Sequence, residues 1–191
     1  MAALGNRTAL DDLVDRLRCL NVRHPSNEVA AIVRAAARLR ADELHPAAGF
    51  APGRYRRHLI ARTETFELLL LCWSADSRSP IHDHGGSWGV VCVQSGALQI
   101  DDYVVVDDRG RDGSATIAAT GSFAMRAGDI DMRLPERDLH EVRPRNGLAI
   151  SLHFYARPID RFRIFDPTAG TCRSVESSYD ALPPPAASAA G

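Results

Sequence analysis

The chain has 191 residues, about the length of one domain. Hydrophobic residues make up 45% and charged residues 25%, which is enough apolar material for a buried core beneath a charged surface. The formal net charge of -1 disfavours nucleic acid and anionic membranes as partners, because binding to either depends on an excess of Lys and Arg.

The apolar runs and the first residues of the sequence indicate the cellular compartment of the protein. Its most apolar run, Leu68–Trp73, is far shorter than the roughly 20 residues of a membrane span. The beginning of the sequence contains no signal-peptide apolar stretch. We therefore expect a cytoplasmic protein that acts as a monomer, with neither a membrane nor a nucleic-acid partner.

The N-terminal part of the chain predicts helices. Leucines recur at helical spacing from residue 10 to residue 20, and a second helix is predicted over Glu28–Leu44, after the start signal Ser26-Asn27-Glu28. Pro25 and Pro46 bracket this second helix. We interpret residues 1–46 as a helical region that packs on the domain that follows.

After residue 46 the pattern changes to short runs rich in Leu, Val, Ile and aromatic residues, separated by turn signals such as Ser95-Gly96. Many short strands with few helices predict a β-sandwich or small barrel over residues 47–178. The low-complexity end, residues 179–191, is predicted to be a disordered tail. The predicted strands are Tyr55–Ala61, Phe66–Trp73, Trp88–Gln94, Ala97–Val106, Gly121–Arg126 and Leu148–Tyr155.

The cysteines are scattered and form no CxxC pair. In a reducing compartment such residues are most simply buried thiols rather than disulfide partners. That expectation covers Cys19, Cys72, Cys92 and Cys172.

The stretch Ser79–Gly89, SPIHDHGGSWG, contains two histidines one residue apart. On a strand, residues two apart point to the same side, so His82 and His84 would project together. The two glycines that follow allow a tight turn beside them. A lone His-x-His is weak evidence for a metal, but these surroundings strengthen it.

This stretch resembles the first motif of the cupins, a glycine-bounded hairpin that carries His-x-His. Many cupins place a glutamate ligand a few residues later, where this chain has Gly89. A later stretch, GDIDMRLPERDLHEVRP, resembles the second cupin motif, which supplies one histidine. The resemblance implies a metal site formed by His82, His84 and His140. The histidines of less suggestive setting, assigned to surface or capping positions, are His24, His45 and His58.

Three neutral imidazoles would leave a divalent metal its full charge and would leave coordination positions open. Such a site suits an anionic thiolate and O2, in parallel with the facial ligand sets of non-heme Fe(II) oxygenases. Zinc is the competing metal on the ligand set alone.

A second group of polar residues occurs in ISLHFY. Ser151, His153 and Tyr155 alternate with apolar residues, so a strand would place all three on one face. If that face is internal, the three need partners, and a hydrogen-bonded relay from serine through histidine to tyrosine supplies them. A solvent-facing stripe is the alternative.

Taken together, the motifs resemble cysteine dioxygenase, a non-heme iron thiol dioxygenase of the cupin superfamily. The match runs from GRYRRHLI to IFDPTAG and includes LLLLCW, SPIHDHGGSWG, LHEVRP and SLHFY in order. The resemblance implies a mostly β fold, a cupin or small jelly-roll β-barrel with short N-terminal α-helices. It implies an Fe(II) cofactor and oxidation of L-cysteine with O2 to cysteine sulfinic acid. The implied residues are His82, His84 and His140 for iron, Ser151, His153 and Tyr155 beyond the metal, and Arg57 with Tyr55 for the substrate.

One departure and several alternatives accompany this resemblance. Animal members carry a cysteine, crosslinked to the tyrosine, at the position of Gly89, so Tyr155 is expected to be uncrosslinked here. A subgroup that prefers 3-mercaptopropionate has glutamine where Arg57 stands, so Arg57 favours cysteine. A mercaptocarboxylate dioxygenase and a non-catalytic ligand-binding cupin are the other hypotheses. Further candidate carboxylate anchors are Arg157, Arg161 and Arg163.

Overall fold

The computed structural model describes residues 7–110 and 112–183. Its α-helices all precede the strands and are α1 (Ala9–Cys19), α2 (Asn27–Ala36) and α3 (Ala41–Leu44). In this described part, no helix combines the length and the apolar character that crossing a membrane requires.

Side chains at the helix starts explain where the helices begin. Thr8 and Asp11 form a reciprocal capping box at the start of α1, and the side chain of Ser26 accepts the backbone N–H of Glu28 at the start of α2. The predicted continuous helix over 28–44 is wrong. It stops at Ala36, and α3 starts anew after Arg40, whose backbone N–H donates to the Glu43 carboxylate at 2.8 Å.

The strands form two sheets. One sheet has the order β1-β2-β9-β4-β7, and the other strands close on themselves in the order β10-β11-β6-β5-β8-β3. The predicted cupin fold, mostly β with short N-terminal helices, is confirmed. The strands are β1 (Tyr55–Arg62), β2 (Phe66–Trp73), β3 (Ile81–His82), β4 (Trp88–Ser95), β5 (Ala97–Asp108), β6 (Gly113–Arg126), β7 (Ile130–Arg133), β8 (His140–Pro144), β9 (Ala149–Ala156), β10 (Arg161–Asp166) and β11 (Thr171–Glu176).

Strands β2 and β9 are buried along their whole length, because each has one face toward the helices and one toward the barrel interior. On the helix side, Leu152 and Phe154 pack with Ile32 and Val33 of α2. Alternation along β9 therefore turns Ser151, His153 and Tyr155 into the barrel interior, and the alternative of a solvent-facing stripe is wrong.

The cysteines follow the expectation with one exception. Cys72, Cys92 and Cys172 are buried, whereas Cys19 at the end of α1 is exposed. A thiol at the exposed last turn of a surface helix has no core to enter, so the prediction of burial is wrong there.

The segment after β11 returns to the barrel and lies along β1. The backbone N–H of Asp180 donates to the carbonyl of Arg57 at 2.7 Å, and that of Leu59 donates to the carbonyl of Ala181 at 2.9 Å. These contacts place the first residues of the predicted tail on the barrel. The remainder, residues 184–191, lies outside the described residues.

Candidate metal centre

Three histidines converge inside the barrel. Strands β3 and β8 run antiparallel with His82 directly opposite His140, a pairing that holds two side chains close together. His84 follows β3 in the adjoining turn. One ligand atom from each of the three residues lies within 4.8 Å of the others. The structure thus brings together the three histidines that the sequence motifs selected.

The turn that carries His84 depends on Gly85. Its φ of +61° lies in the left-handed region, and a Cβ there would meet the carbonyl oxygen of Arg161 at 2.5 Å. Only glycine fits both conditions. His84 lies in a turn and not on a regular strand. Its side chain nevertheless faces that of His82, with ring centroids 5.2 Å apart.

The ring nitrogens of these histidines fit a metal. Nδ1 of His82 lies 2.9 Å from the carbonyl oxygen of Pro80, so a neutral ring donates there and keeps a lone pair on Nε2. Both ring nitrogens of His84 and Nδ1 of His140 are buried with no hydrogen-bond partner. Buried polar atoms normally have partners, and a bound cation would give one nitrogen of each ring a partner.

Burial also favours the neutral state that a metal requires. Removal from water lowers the pKa of His82 to about 4 and holds the pKa values of His84 and His140 well below the usual range. The charge of the neighbouring His82 lowers the latter two pKa values further. At neutral pH all three rings are uncharged, the state in which an imidazole can bind a metal.

Asp138 supports the centre from one side, and the sequence reading missed it. Its Oδ2 accepts the backbone N–H of His84 at 2.8 Å and lies 3.8 Å from Nδ1 of the same residue. Burial raises the pKa of Asp138 to about 6. Its place two residues before His140 in the sequence was an available signal, since carboxylates commonly orient metal-bound histidines.

The predicted relay on β9 is present. Ser151 Oγ lies 2.8 Å from Nε2 of His153, and Nδ1 of His153 lies 3.1 Å from the Tyr155 hydroxyl. Burial lowers the pKa of His153 to about 3 and raises the pKa of Tyr155 far above its usual value. The histidine is therefore neutral and the phenol protonated.

Trp73, at the end of β2, extends the relay and sets its direction. Its indole N–H, which can only donate, donates to Ser151 Oγ at 2.9 Å. The serine hydrogen is then left for Nε2 of His153, so that Nδ1–H donates to the Tyr155 oxygen. The hydrogen of Tyr155 is free to donate into the cavity. Alternation in LLLLCW places Trp73 on the inner face, which was the overlooked signal.

Gly89 and His84 bring the end of the relay to the histidine cluster. The rings of Tyr155 and His84 have centroids 4.9 Å apart. Gly89 lies directly opposite Tyr155 on β4, and a Cβ there would come within 2.8 Å of the phenol ring. The ring therefore occupies the space that a side chain at position 89 would need.

Arg57 and Tyr55, both on β1, line the same cavity as the three histidines. The Tyr55 ring stacks on Trp73 with a centroid distance of 4.6 Å. Ser151 stands behind His153 and does not line the cavity. The cavity is lined by Tyr55, Arg57, Leu69, Leu71, Trp73, Ser79, His82, Asp83, His84, His140, Val142, His153, Tyr155, Ile159 and Phe162.

The other candidate anchors for a carboxylate lie elsewhere. Arg157 donates to the carbonyl of Gly86 at 2.8 Å, and Arg161 pairs with Glu176 at 3.1 Å. Arg163 pairs with Asp83 and Asp108. None of these three arginines lines the cavity, and among the described residues Arg57 is the arginine that does.

The remaining histidines differ from expectation in part. His24 is exposed, as expected. His45 ends α3 and accepts the backbone N–H of Ala47 at 3.1 Å, which agrees with a capping role, although the residue is buried. His58 is fully buried on β1, so its assignment to a surface or capping position is wrong.

Comparison with known proteins points to one family. The family profile described as "Cysteine dioxygenase type I" matches residues 6–168. The protein called "Cysteine dioxygenase type 1" in Rattus norvegicus is 27% identical over 175 residues, covering 87% of this chain and 85% of its own length. The protein of the same name in Bos taurus is 28% identical over 167 residues, covering 83% and 80%.

Solved structures were also compared with the chain. An rmlc-like cupin protein from Desulfovibrio desulfuricans aligns with a TM-score of 0.43 and 19% identity, covering 59% of this chain and 92% of its own. The family match, by contrast, extends over most of the sequence and includes every residue of the histidine cluster and of the relay. This chain belongs to the cysteine dioxygenase type I family.

Proposed function

We propose that the protein is an Fe(II)-dependent thiol dioxygenase that oxidises L-cysteine with O2 to cysteine sulfinic acid. One observation carries the proposal: three neutral imidazoles, those of His84 and His140 fully buried and that of His82 half-buried, face a single cavity together with one guanidinium. Family membership gives the class, oxidoreductase, and the side chains of this chain support the finer assignment.

His82, His84 and His140 would hold the iron. Iron bound there supplies the binding and activation of O2, which the side chains of a protein cannot provide alone. A ligand set without a carboxylate adds no negative charge, so the site suits the thiolate of the substrate.

Arg57 binds the other end of the substrate. A guanidinium presents paired donors that match both oxygens of a carboxylate, and its charge strengthens each hydrogen bond. Arg57 is held on β1 at the wall of the histidine cavity, so it would fix the carboxylate while the thiol faces the histidines.

Tyr155 directs a proton into the same cavity. Its hydroxyl accepts from His153 and keeps its own hydrogen to donate, and its raised pKa keeps that hydrogen in place at neutral pH. In the overall reaction both atoms of O2 are added to sulfur and the thiol proton is released with the sulfinate. The relay therefore orients a donor and undergoes no net change.

The test compares two thiols on the metal-loaded protein. We expect iron in the purified protein and O2 uptake that depends on L-cysteine, with a higher kcat/KM than for 3-mercaptopropionate. A higher kcat/KM for 3-mercaptopropionate would instead assign the protein to mercaptocarboxylates. Binding of thiols without O2 uptake would indicate a ligand-binding cupin. The cytoplasmic location and the monomeric state stay predictions.

A further inference from the structure

The segment Ser177–Leu182, here called the C-terminal strap, holds the main chain of Arg57 on both sides. Asp180 is the partner in both contacts. The backbone N–H of Arg57 donates to its Oδ2 at 2.8 Å, and the carbonyl of Arg57 accepts its backbone N–H at 2.7 Å. The strap thus continues the sheet at the point where the cavity arginine stands.

The strap also contacts the guanidinium itself. Nη1 of Arg57 donates to Ser177 Oγ at 3.1 Å, and the Cζ atom lies 5.6 Å from the centroid of the Tyr179 ring. A guanidinium has five N–H donors, so a serine contact and a ring below leave most of them for a carboxylate. The two contacts restrict the rotation of a side chain that otherwise has many rotamers.

Two side chains of the barrel hold Tyr179 in place. Its hydroxyl donates to Oε2 of Glu67 at 2.5 Å and accepts from Nη1 of Arg62 at 2.6 Å. Glu67 is fully buried on β2, and its other oxygen has no hydrogen-bond partner. Burying a carboxylate is costly unless it is paired, so a buried Glu67 strongly favours the docked position of Tyr179.

We propose that Ser177 and Tyr179 are positioning residues, which hold the Arg57 guanidinium in the orientation that receives the substrate carboxylate. The inference rests on the proposed function, since it assigns Arg57 to substrate binding. It predicts an effect selective for thiols that carry a carboxylate. A strap that only stabilised the fold would affect every thiol alike.

The experiment uses the full-length, iron-loaded protein and two thiols, L-cysteine and cysteamine, which lacks the carboxylate. We expect Tyr179→Ala to raise KM for L-cysteine about fivefold to tenfold with a smaller change in kcat, since cation–π contacts have about that worth. Parameters for cysteamine should stay within about twofold. Tyr179→Phe keeps the ring but loses the hydroxyl contacts, so it should fall between wild type and Tyr179→Ala.

Tyr103→Phe is the matched control, because Tyr103 lies on β5 and does not line the histidine cavity. In an Arg57→Gln background, Tyr179→Ala should add little, since the two changes remove the same contact. An unchanged KM for L-cysteine, or an equal loss for both thiols, would overturn the inference. If Tyr179→Ala does not fold, Ser177→Ala carries the same test, with an expected rise of about threefold.

Anaerobic calorimetry keeps this inference separate from the proposed function. Binding of L-cysteine to the iron-loaded wild type and to Tyr179→Ala gives the same comparison without turnover. A wild type that binds L-cysteine but takes up no O2 would contradict the dioxygenase proposal and leave the strap to be judged by the binding ratio. If the wild type and Tyr179→Ala bind L-cysteine with the same Kd, the inference about the strap is wrong and the proposed function is unaffected.

Discussion

The two faces of β9 are both buried, yet they contribute to the protein in different ways. On the outer face, Leu152 and Phe154 have no polar side-chain atom and pack against the helices. On the inner face, Ser151, His153 and Tyr155 are polar and satisfy one another. Burial of the first set stabilises the fold directly, whereas burial of the second set is tolerated because each of its polar groups has a hydrogen-bond partner.

The histidine cluster is a third case, and the contrast with the relay is informative. His153 has a partner for each ring nitrogen, while both ring nitrogens of His84 are buried without one. Burial therefore does not distinguish a core from a site here. The difference between the relay and the cluster is that the ring nitrogens of His153 have partners inside the protein and those of His84 have none.

The largest expected effect follows from breaking the cluster. His140→Ala removes one of three ligands, so we expect it to retain little iron and less than about 1% of the wild-type activity. Metal analysis and O2 uptake measure both quantities. His24→Ala, at an exposed histidine, is the matched control and should behave as wild type. Full iron retention in His140→Ala would show that the metal lies elsewhere.

On the outer face, Phe154→Ala should damage the fold and spare the chemistry. Phe154 is fully buried and stacks on Phe66 with ring centroids 5.5 Å apart. Its loss should lower the free energy of unfolding by about 3–5 kcal/mol, measured by urea denaturation. KM for L-cysteine, assayed well below the midpoint of unfolding, should not change. Phe50→Ala, at a partly exposed phenylalanine, should cost far less.

At the cavity wall, Arg57→Gln should act on substrate binding alone. Loss of a charged, paired donor is worth about 1.5–3 kcal/mol, which corresponds to a rise of about tenfold to hundredfold in KM for L-cysteine. Iron content should equal that of the wild type, since Arg57 is not one of the three residues that would hold the metal. Steady-state kinetics at several cysteine concentrations would reveal the change, and an unaltered KM would count against the carboxylate contact.

On the inner face, Tyr155→Phe removes only the hydroxyl at the end of the relay. We expect kcat to fall by about tenfold, or more O2 to be consumed per sulfinate formed, with iron retained. Simultaneous electrode and product measurements separate the two. A variant that matches the wild type in both would assign Tyr155 to packing against His84.

The smallest effect concerns acid stability. Burial lowers the pKa of His153 from 6.5 to about 3. Below pH 6.5 the imidazole therefore binds a proton in the unfolded chain but stays neutral in the folded protein. Stability is thus lost as the pH falls from 6.5 toward the folded value. Between pH 6.5 and 5 the metal-free wild type should lose about 1.5 kcal/mol more than His153→Gln, by urea unfolding. Parallel curves would contradict the assigned burial.

The fold class and the candidate site residues could be predicted from the sequence. The reasons why a prediction succeeded or failed differ from one element to the next. Long strands such as Phe66–Trp73 carry a strong apolar pattern that local reading detects. The strand β3 has only Ile81 and His82, too short for any period, and exists because β8 and β10 pair with it. His82 and His140 could each be selected from a motif, but their pairing across the sheet could not be read from the sequence.

Other features depend on contacts between distant segments. The first half of β6, from Gly113 to Thr120, is rich in small residues and becomes a strand through pairing with β5 and β11. Tyr179 lies in a polar segment near a low-complexity end, and its role depends on Glu67, 112 positions earlier. Composition alone cannot show such a contact, because it reports neither partner nor burial.

The most direct test of the account is the ratio of O2 consumed to cysteine sulfinate formed by the iron-loaded wild type. Addition of both oxygen atoms to sulfur predicts one O2 for each sulfinate, with no cystine. Formation of cystine in place of sulfinate, or no uptake above that of the His140→Ala variant, would contradict the claim that three neutral imidazoles and Arg57 form a thiol dioxygenase site.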